Sequence, residues 1–187
     1  MLTLDALYDA AARIAPYAYR TPVLEHHGLN HALGAKVYFK AEHLQRMGAF
    51  KFRGACNAVL SLTSAQAAQG VVTHSSGNHG AALALACQLR GIPATIVVPR
   101  NAPETKRQAI ADYGANIVLC EPTHAERHRI TTEILATTGG ELIHPFDDER
   151  VIAGQGTATL EFLKQVPELD IIIAPVSGGG LLSGTVI

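Results

Sequence analysis

From Gly70 onward, short β-branched runs alternate with longer helix-forming stretches, a rhythm that constrains the chain to parallel strands joined by crossover helices. Val71, Val72 and Thr73 read as the first strand. Residues 78–90 follow as a helix rich in alanine and leucine, stopped by Gly91 and Pro93. Residues 94–98 are the next strand. Pro103 fits the first turn of a helix running to about Tyr113, with Gly114 at its C-terminal end, and residues 116–119 return to strand. Thr123 and Glu126 have the spacing of a capping box, opening a helix that ends at Gly139 and Gly140 before a strand at 141–143.

The flanking segments follow another pattern. Leu4, Leu7, Ala11 and Ile14 mark an amphipathic helix, and residues 36–40 read as a strand. Residues 151–166 read as a helix, 171–175 (Ile-Ile-Ile-Ala-Pro) as a fully buried strand, and 177–180 as a glycine-rich turn into a last helix. No linker-like stretch separates these parts. The expected organisation is therefore a β-α domain over 70–140 inserted into a discontinuous domain formed by 1–62 and 147–187. A helix of barely two turns at the end predicts a fragment of a longer protein, with its last strand lacking neighbours.

Composition narrows the function. Fifteen basic and sixteen acidic side chains give a net charge of -1, so nothing favours nucleic acid or an anionic membrane. The apolar runs are too short to span a bilayer, and the N-terminus, with Asp5 and Asp9, does not read as a signal peptide. Cys56, Cys87 and Cys120 are odd in number and lie in apolar stretches, which predicts reduced, buried thiols in a cytoplasmic protein.

Three features carry candidate chemistry. Ser177, Gly178, Gly179, Gly180 and Leu181 lie between a strand and a helix, where backbone N–H groups and the helix dipole suit a phosphate; a flexible turn is the alternative. Ser75, Ser76, Gly77, Asn78, His79 and Gly80 offer a second such turn, suited to a carboxylate, whereas a plain helix cap would need only one of them. Lys51 stands between Phe50 and Phe52 near a helix start. Alone it would be read as a solvated lysine; beside a phosphate cup and a carboxylate cradle it becomes a candidate amine for binding a phosphorylated aldehyde. Weaker signals are His124 and His128, four apart on one helix, either a metal pair or a solvated face, and Asp147, Asp148 and Glu149, read as helix caps. Arg53 is read as an ion-pair partner in preference to a substrate contact.

In this order the motifs resemble the serine/threonine dehydratase and serine racemase branch of the fold type II pyridoxal-phosphate enzymes. The resemblance runs from Arg20-Thr21-Pro22 through residues 50–55, 73–80 and 97–99 to Gly154-Gln155-Gly156-Thr157 and Ser177-Gly178-Gly179-Gly180. It implies an open, three-layer α/β/α fold of two domains, with this chain ending inside the larger one. It also implies pyridoxal 5'-phosphate as cofactor, with Lys51 as the Schiff-base lysine and general base, Phe50 packed on the cofactor ring, Asn78 bonded to its 3-oxygen, and Gly178, Gly179, Gly180 and Leu181 around its phosphate. Ser75, Ser76, Gly77 and His79 would hold the substrate carboxylate. Ser76 further resembles the second acid/base of serine racemases. The implied reaction takes water and ammonia from L-serine, L-threonine or 3-hydroxyaspartate, in a homodimer, with any Mg2+ or similar cation bound beyond residue 187. A β-replacement enzyme of the same fold, such as cysteine or threonine synthase, and an inactive binding fragment are the alternatives.

Overall fold

The computed structural model describes residues 2–187. In chain order the elements are α1 (Leu4–Ile14), β1 (Val23–Glu25), α2 (His27–Leu33), β2 (Tyr38–Lys40), two 3-10 turns (Glu42–Leu44 and Arg46–Gly48), α3 (Lys51–Leu60) and α4 (Ser64–Gln69). Then come β3 (Val71–His74), α5 (Asn78–Arg90), β4 (Ala94–Pro99), α6 (Glu104–Ala111), β5 (Asn116–Cys120), α7 (His124–Thr138), β6 (Glu141–Leu142), α8 (Glu149–Gln165) and α9 (Gly180–Thr185). The helices expected over 78–90 and 151–166 are α5 and α8. Gly91 and Gly139 take left-handed conformations that end α5 and α7. The capping box expected at Thr123 is half made: its hydroxyl accepts from the Glu126 N–H, while the Glu126 carboxylate turns to Arg129. A complete one forms instead at Thr63 and Gln66.

All four strands of the main sheet are parallel, in the order β5-β4-β3-β6. Starting from β3, the chain advances through α5 to β4 and through α6 to β5, then returns through α7 to the far side of β3. Right-handed crossovers therefore place α7 on the face opposite α5 and α6. The direction of winding reverses at β3, and sheets of this kind bind ligands beside the carboxyl ends of the strands at such a reversal.

Helix α8 organises the rest, packing on α3, α1 and α9. A Cβ at Gly154 would lie 2.5 Å from the Cα of Gly54, and one at Gly156 would lie 2.5 Å from the Gly184 carbonyl oxygen. Residues two apart on a helix point about 200° apart, so α3 and α9 flank α8 on opposite sides at glycine-only distance. One apolar core then runs through both parts of the chain, from Ile14, Phe52 and Val59 through Leu83 and Ile96 to Val151.

The strand expected over 171–175 is not formed. That segment is extended but joins no ladder, and Ile171 and Ile173 are 76% and 91% exposed in place of the full burial expected. Its apolar pattern calls for a strand on each side and a layer over each face, and no described strand lies beside it: β1 pairs with β2 as a separate antiparallel ribbon. The three cysteines are free and buried, and burial pushes the Cys56 and Cys87 thiols up to about 12. Among the described residues no helix is long and apolar enough to cross a membrane.

Gly154→Ala will lower stability by about 3 kcal/mol, read as a drop in the urea midpoint, because the added methyl meets backbone atoms that cannot turn aside. In the folded protein none of the cysteines will react with iodoacetamide at about pH 8, and mass spectrometry will find all of them labelled in denaturant.

Candidate functional site

Lys51 is the first residue of α3. The chain reaches it through Met47 and Gly48, both in the left-handed region with φ of 53° and 77°, and Phe50 sits at the cap position without a side-chain capping bond. The Lys51 amine donates to the Pro145 carbonyl at 2.8 Å, and its nitrogen is 5.5 Å from the centre of the Phe50 ring. Burial lowers its pKa, and no acidic group acts on it. The positive end of α3 adds to the same preference for an uncharged amine.

Ser75, Ser76 and Gly77 form the half-buried turn between β3 and α5, at the winding reversal. Gly77 caps α5 with no side-chain bond, Ser75 Oγ accepts from the Gly77 N–H at 3.2 Å, and the Ser76 hydroxyl meets no described residue. The first-turn N–H groups of α5 thus have no partner of their own. Asn78 is exposed beside them. His79 behaves differently: its ring is buried, with Nε2 3.3 Å from the Ile143 carbonyl oxygen, so only its backbone N–H belongs to the turn.

The turn at Gly178, Gly179 and Gly180 likewise leads into an uncapped helix, with Gly179 at φ 92°. A Cβ on Gly178 would stand 2.2 Å from the Phe146 ring, so the bare backbone is required there. Leu181 is half-buried at the start of α9 and, with Phe50, borders an apolar cavity of about 320 Å³ lined also by Tyr38, Phe39, Phe162 and Ile172. That cavity does not include Lys51 or the serine turn.

What joins these pieces is the segment leaving β6, which the sequence reading passed over. Ile143 accepts from Thr73 Oγ1 at 2.7 Å and meets His79, His144 packs its ring edge-on against His74, Pro145 holds Lys51, and Phe146 lies on Gly178. Three of these links go to two backbone carbonyls, which no residue type announces. The His-Pro-Phe run directly after a strand was the available signal.

The remaining candidates lie elsewhere. Arg53 is fully buried and gives its guanidinium to Glu42 and Glu161 at 2.8–2.9 Å, which leaves nothing for a ligand. Asp148 caps α8 by accepting from the Arg150 N–H. His124 and His128 lie on an exposed face of α7, and among the described residues no three His, Cys, Asp or Glu side chains are arranged to hold a metal ion.

Two uncapped helix starts, a bare glycine backbone and a half-buried amine without a counter-ion fit a phosphorylated aldehyde bound with an amino acid carboxylate. The comparisons agree. The model of the family "Pyridoxal-phosphate dependent enzyme" matches residues 14–187.

The chain belongs to that family.

It is 54% identical over 179 residues to the serine racemase of Arabidopsis thaliana, covering 96% of this chain and 54% of that protein. It is 48% identical over 183 residues to the beta-hydroxyaspartate dehydratase of Paracoccus denitrificans, covering 98% and 58%. The structure of maize serine racemase superposes with a TM-score of 0.97 at 49% identity, over 98% of this chain and 56% of the other. This family member therefore spans a little over half the length of these relatives, and its mixed α/β architecture is that of fold type II.

Trace acylation of the cofactor-free protein between about pH 7 and about pH 10, read by mass spectrometry, will give Lys51 a titration midpoint below the ordinary lysine value near 10.4. A midpoint at or above that value would contradict the site as described.

Proposed function

We propose that this chain carries the reactive lysine, phosphate turn and carboxylate turn of a pyridoxal-phosphate dehydratase, an ammonia-lyase that converts a small hydroxy amino acid to a 2-keto acid and ammonia. L-Serine, L-threonine and 3-hydroxyaspartate are the substrates in view. The observation that supports this most is the Lys51 amine, its pKa lowered by burial, donating to the Pro145 carbonyl on a segment that also meets the first turn of α5 and the turn into α9. Relatives named as serine racemase and hydroxyaspartate dehydratase support the reaction class.

In this reading Gly178, Gly179, Gly180 and Leu181 direct backbone N–H groups at the cofactor phosphate, Phe50 packs against its ring, and the Asn78 amide donates to its ring oxygen. Ser75, Ser76, Gly77 and the His79 N–H hold the substrate carboxylate. When bound, the cofactor supplies an electron sink for the carbanion at the substrate Cα. Lys51 carries the cofactor, yields it to the incoming amino group, and with its freed amine removes the Cα proton. The β-hydroxyl then leaves as water, the proton it takes up matched by the one Lys51 has removed, and hydrolysis of the released product gives the 2-keto acid and ammonia. Ser76 supports a second activity: its hydroxyl, which bonds no described residue, lies in the proposed carboxylate turn, and exchange of a proton at Cα from the face opposite Lys51 would be racemisation.

The domain division at 1–62, 70–140 and 147–187 belongs to this proposal, as does a cytoplasmic homodimer; the buried free thiols support the reducing compartment.

Pyridoxal phosphate should turn the protein yellow, and borohydride should fix it on Lys51 in peptide maps. Keto acid release from one of the three hydroxy amino acids, without a second substrate, separates a dehydratase from a β-replacement enzyme. Lys51→Ala will reduce that release at least about 1,000-fold, and activity surviving in the variant refutes the assignment. Ser76→Ala will remove D-serine formation from L-serine while leaving keto acid release largely in place.

A further inference from the structure

His79 is 3% exposed on the first turn of α5, and its ring is committed at one nitrogen only. Nε2 is 3.3 Å from the Ile143 carbonyl oxygen, which also accepts from Thr73 Oγ1. A carbonyl oxygen only accepts, so Nε2 carries the hydrogen. Burial first, and then the charge of Lys51, hold the ring's pKa down to about 3. At neutral pH the imidazole is therefore uncharged, and Nδ1 is a bare lone pair. That lone pair is buried and has no donor among the described residues. Leaving an acceptor so is destabilising, which points to a donor present in some state of the site.

The titratable neighbours acting on the ring are Lys51 on α3, His74 at the end of β3 and His144 after β6. His144 Nδ1 is itself occupied as an acceptor, taking the Asp147 N–H at 2.9 Å. The Nδ1 of His74 is also unpartnered, and burial, then His144, Arg127 and His128, lower its pKa. Lys51 has hydrogens to spare: an ammonium carries three, and Pro145 takes one. Ile143 and Pro145 are two residues apart, so the carbonyls that hold His79 and Lys51 lie within about 7 Å of each other.

We propose that His79 is a positioning residue for Lys51: its Nδ1 accepts a hydrogen of the free, protonated Lys51 amine, while the Pro145 carbonyl accepts another. The inference rests on Lys51 being the reactive lysine. It gives that lysine a fixed position after it has taken a proton from substrate. The imidazole is too weak a base to remove the proton, so it orients the ammonium without competing for it.

The test uses the cofactor-free protein labelled with 15N-histidine. His79 should remain the neutral, Nε2-protonated tautomer from about pH 5 to about pH 9, with an Nδ1 resonance that moves as Lys51 titrates and no longer moves in Lys51→Ala. In trace acylation, His79→Leu should lower the Lys51 midpoint by about one unit. His79→Gln, whose amide offers both a donor for Ile143 and an acceptor, should restore most of it. An Nδ1-protonated ring, a ring titrating near the ordinary histidine value, or an Nδ1 resonance indifferent to Lys51 overturns the proposal. Should pyridoxal phosphate fail to attach at Lys51, the functional reading falls, while these resonances still decide the contact between His79 and the amine.

Discussion

Arg53 lies two residues after Lys51 and places its guanidinium, without exposure to solvent, between the carboxylates of Glu42 and Glu161. Both contacts are two-pronged, and Thr157 and the Tyr19 carbonyl take the remaining directions at 3.3 Å. Lys40 completes the group on Glu161, with Gln165 and the Thr21 carbonyl as further acceptors, so two positive charges meet two negative ones. Burying charge in this way adds little net stability over a well-packed apolar cluster. Its effect is geometric: the forks tie α3 to the first 3-10 turn, to α8 and to the segment before β1. Removing one member would leave an uncompensated charge, destabilising the fold by about 3–5 kcal/mol. The start of α3, and Lys51 with it, therefore has one position available.

Helix α8 carries that fixed position across to the glycine turn at 178–180. Four consecutive residues do so by different means: Gly154 admits α3, Gln155 accepts from the Gly54 N–H at 3.2 Å, Gly156 admits α9, and Thr157 bonds Arg53. The spacing between the amine and the bare glycines at 178–180 is thus set by the thickness of one helix without intervening side chains. The four-stranded sheet supplies the third piece from outside this frame, because its winding reversal delivers the serine turn and the segment after β6 to the same edge.

Much of this was legible in the sequence. The β-α rhythm, the glycine and proline stops and the strand-glycine-helix turns are local signals, and the parallel sheet, α5 to α8 and the two uncapped turns into helices follow from them. Elements held by distant partners were less legible. The strand read over 36–40 is β2, but its partner β1 has three residues, too few for a period, and α2 buries no residue. The run at 171–175 reads as a buried strand because its composition records the partners such a strand requires, which residues 2–187 do not provide. His79 was assigned with its turn by position, whereas its ring follows the Ile143 carbonyl, a backbone atom that every residue possesses. The same holds for Pro145 and Lys51.

Charge accounts for why these pieces suit one kind of ligand. Helices α3, α5 and α9 all begin without a side-chain cap, and the segment from Ile143 to Phe146 touches the start of the first two and the turn into the third. Each uncapped start presents about half a positive charge. The groups acting on Lys51, His74 and His79 include no carboxylate; they are burial and other cationic or histidine side chains. In such surroundings protonated bases are disfavoured: the pKa values of the lysine and of both histidines are lowered, and negative charge is favoured from two directions. A ligand pair bearing a phosphate and a carboxylate meets both demands. Under the proposed function, binding of those anions lowers the penalty on an ammonium at Lys51 and makes its amine a stronger base.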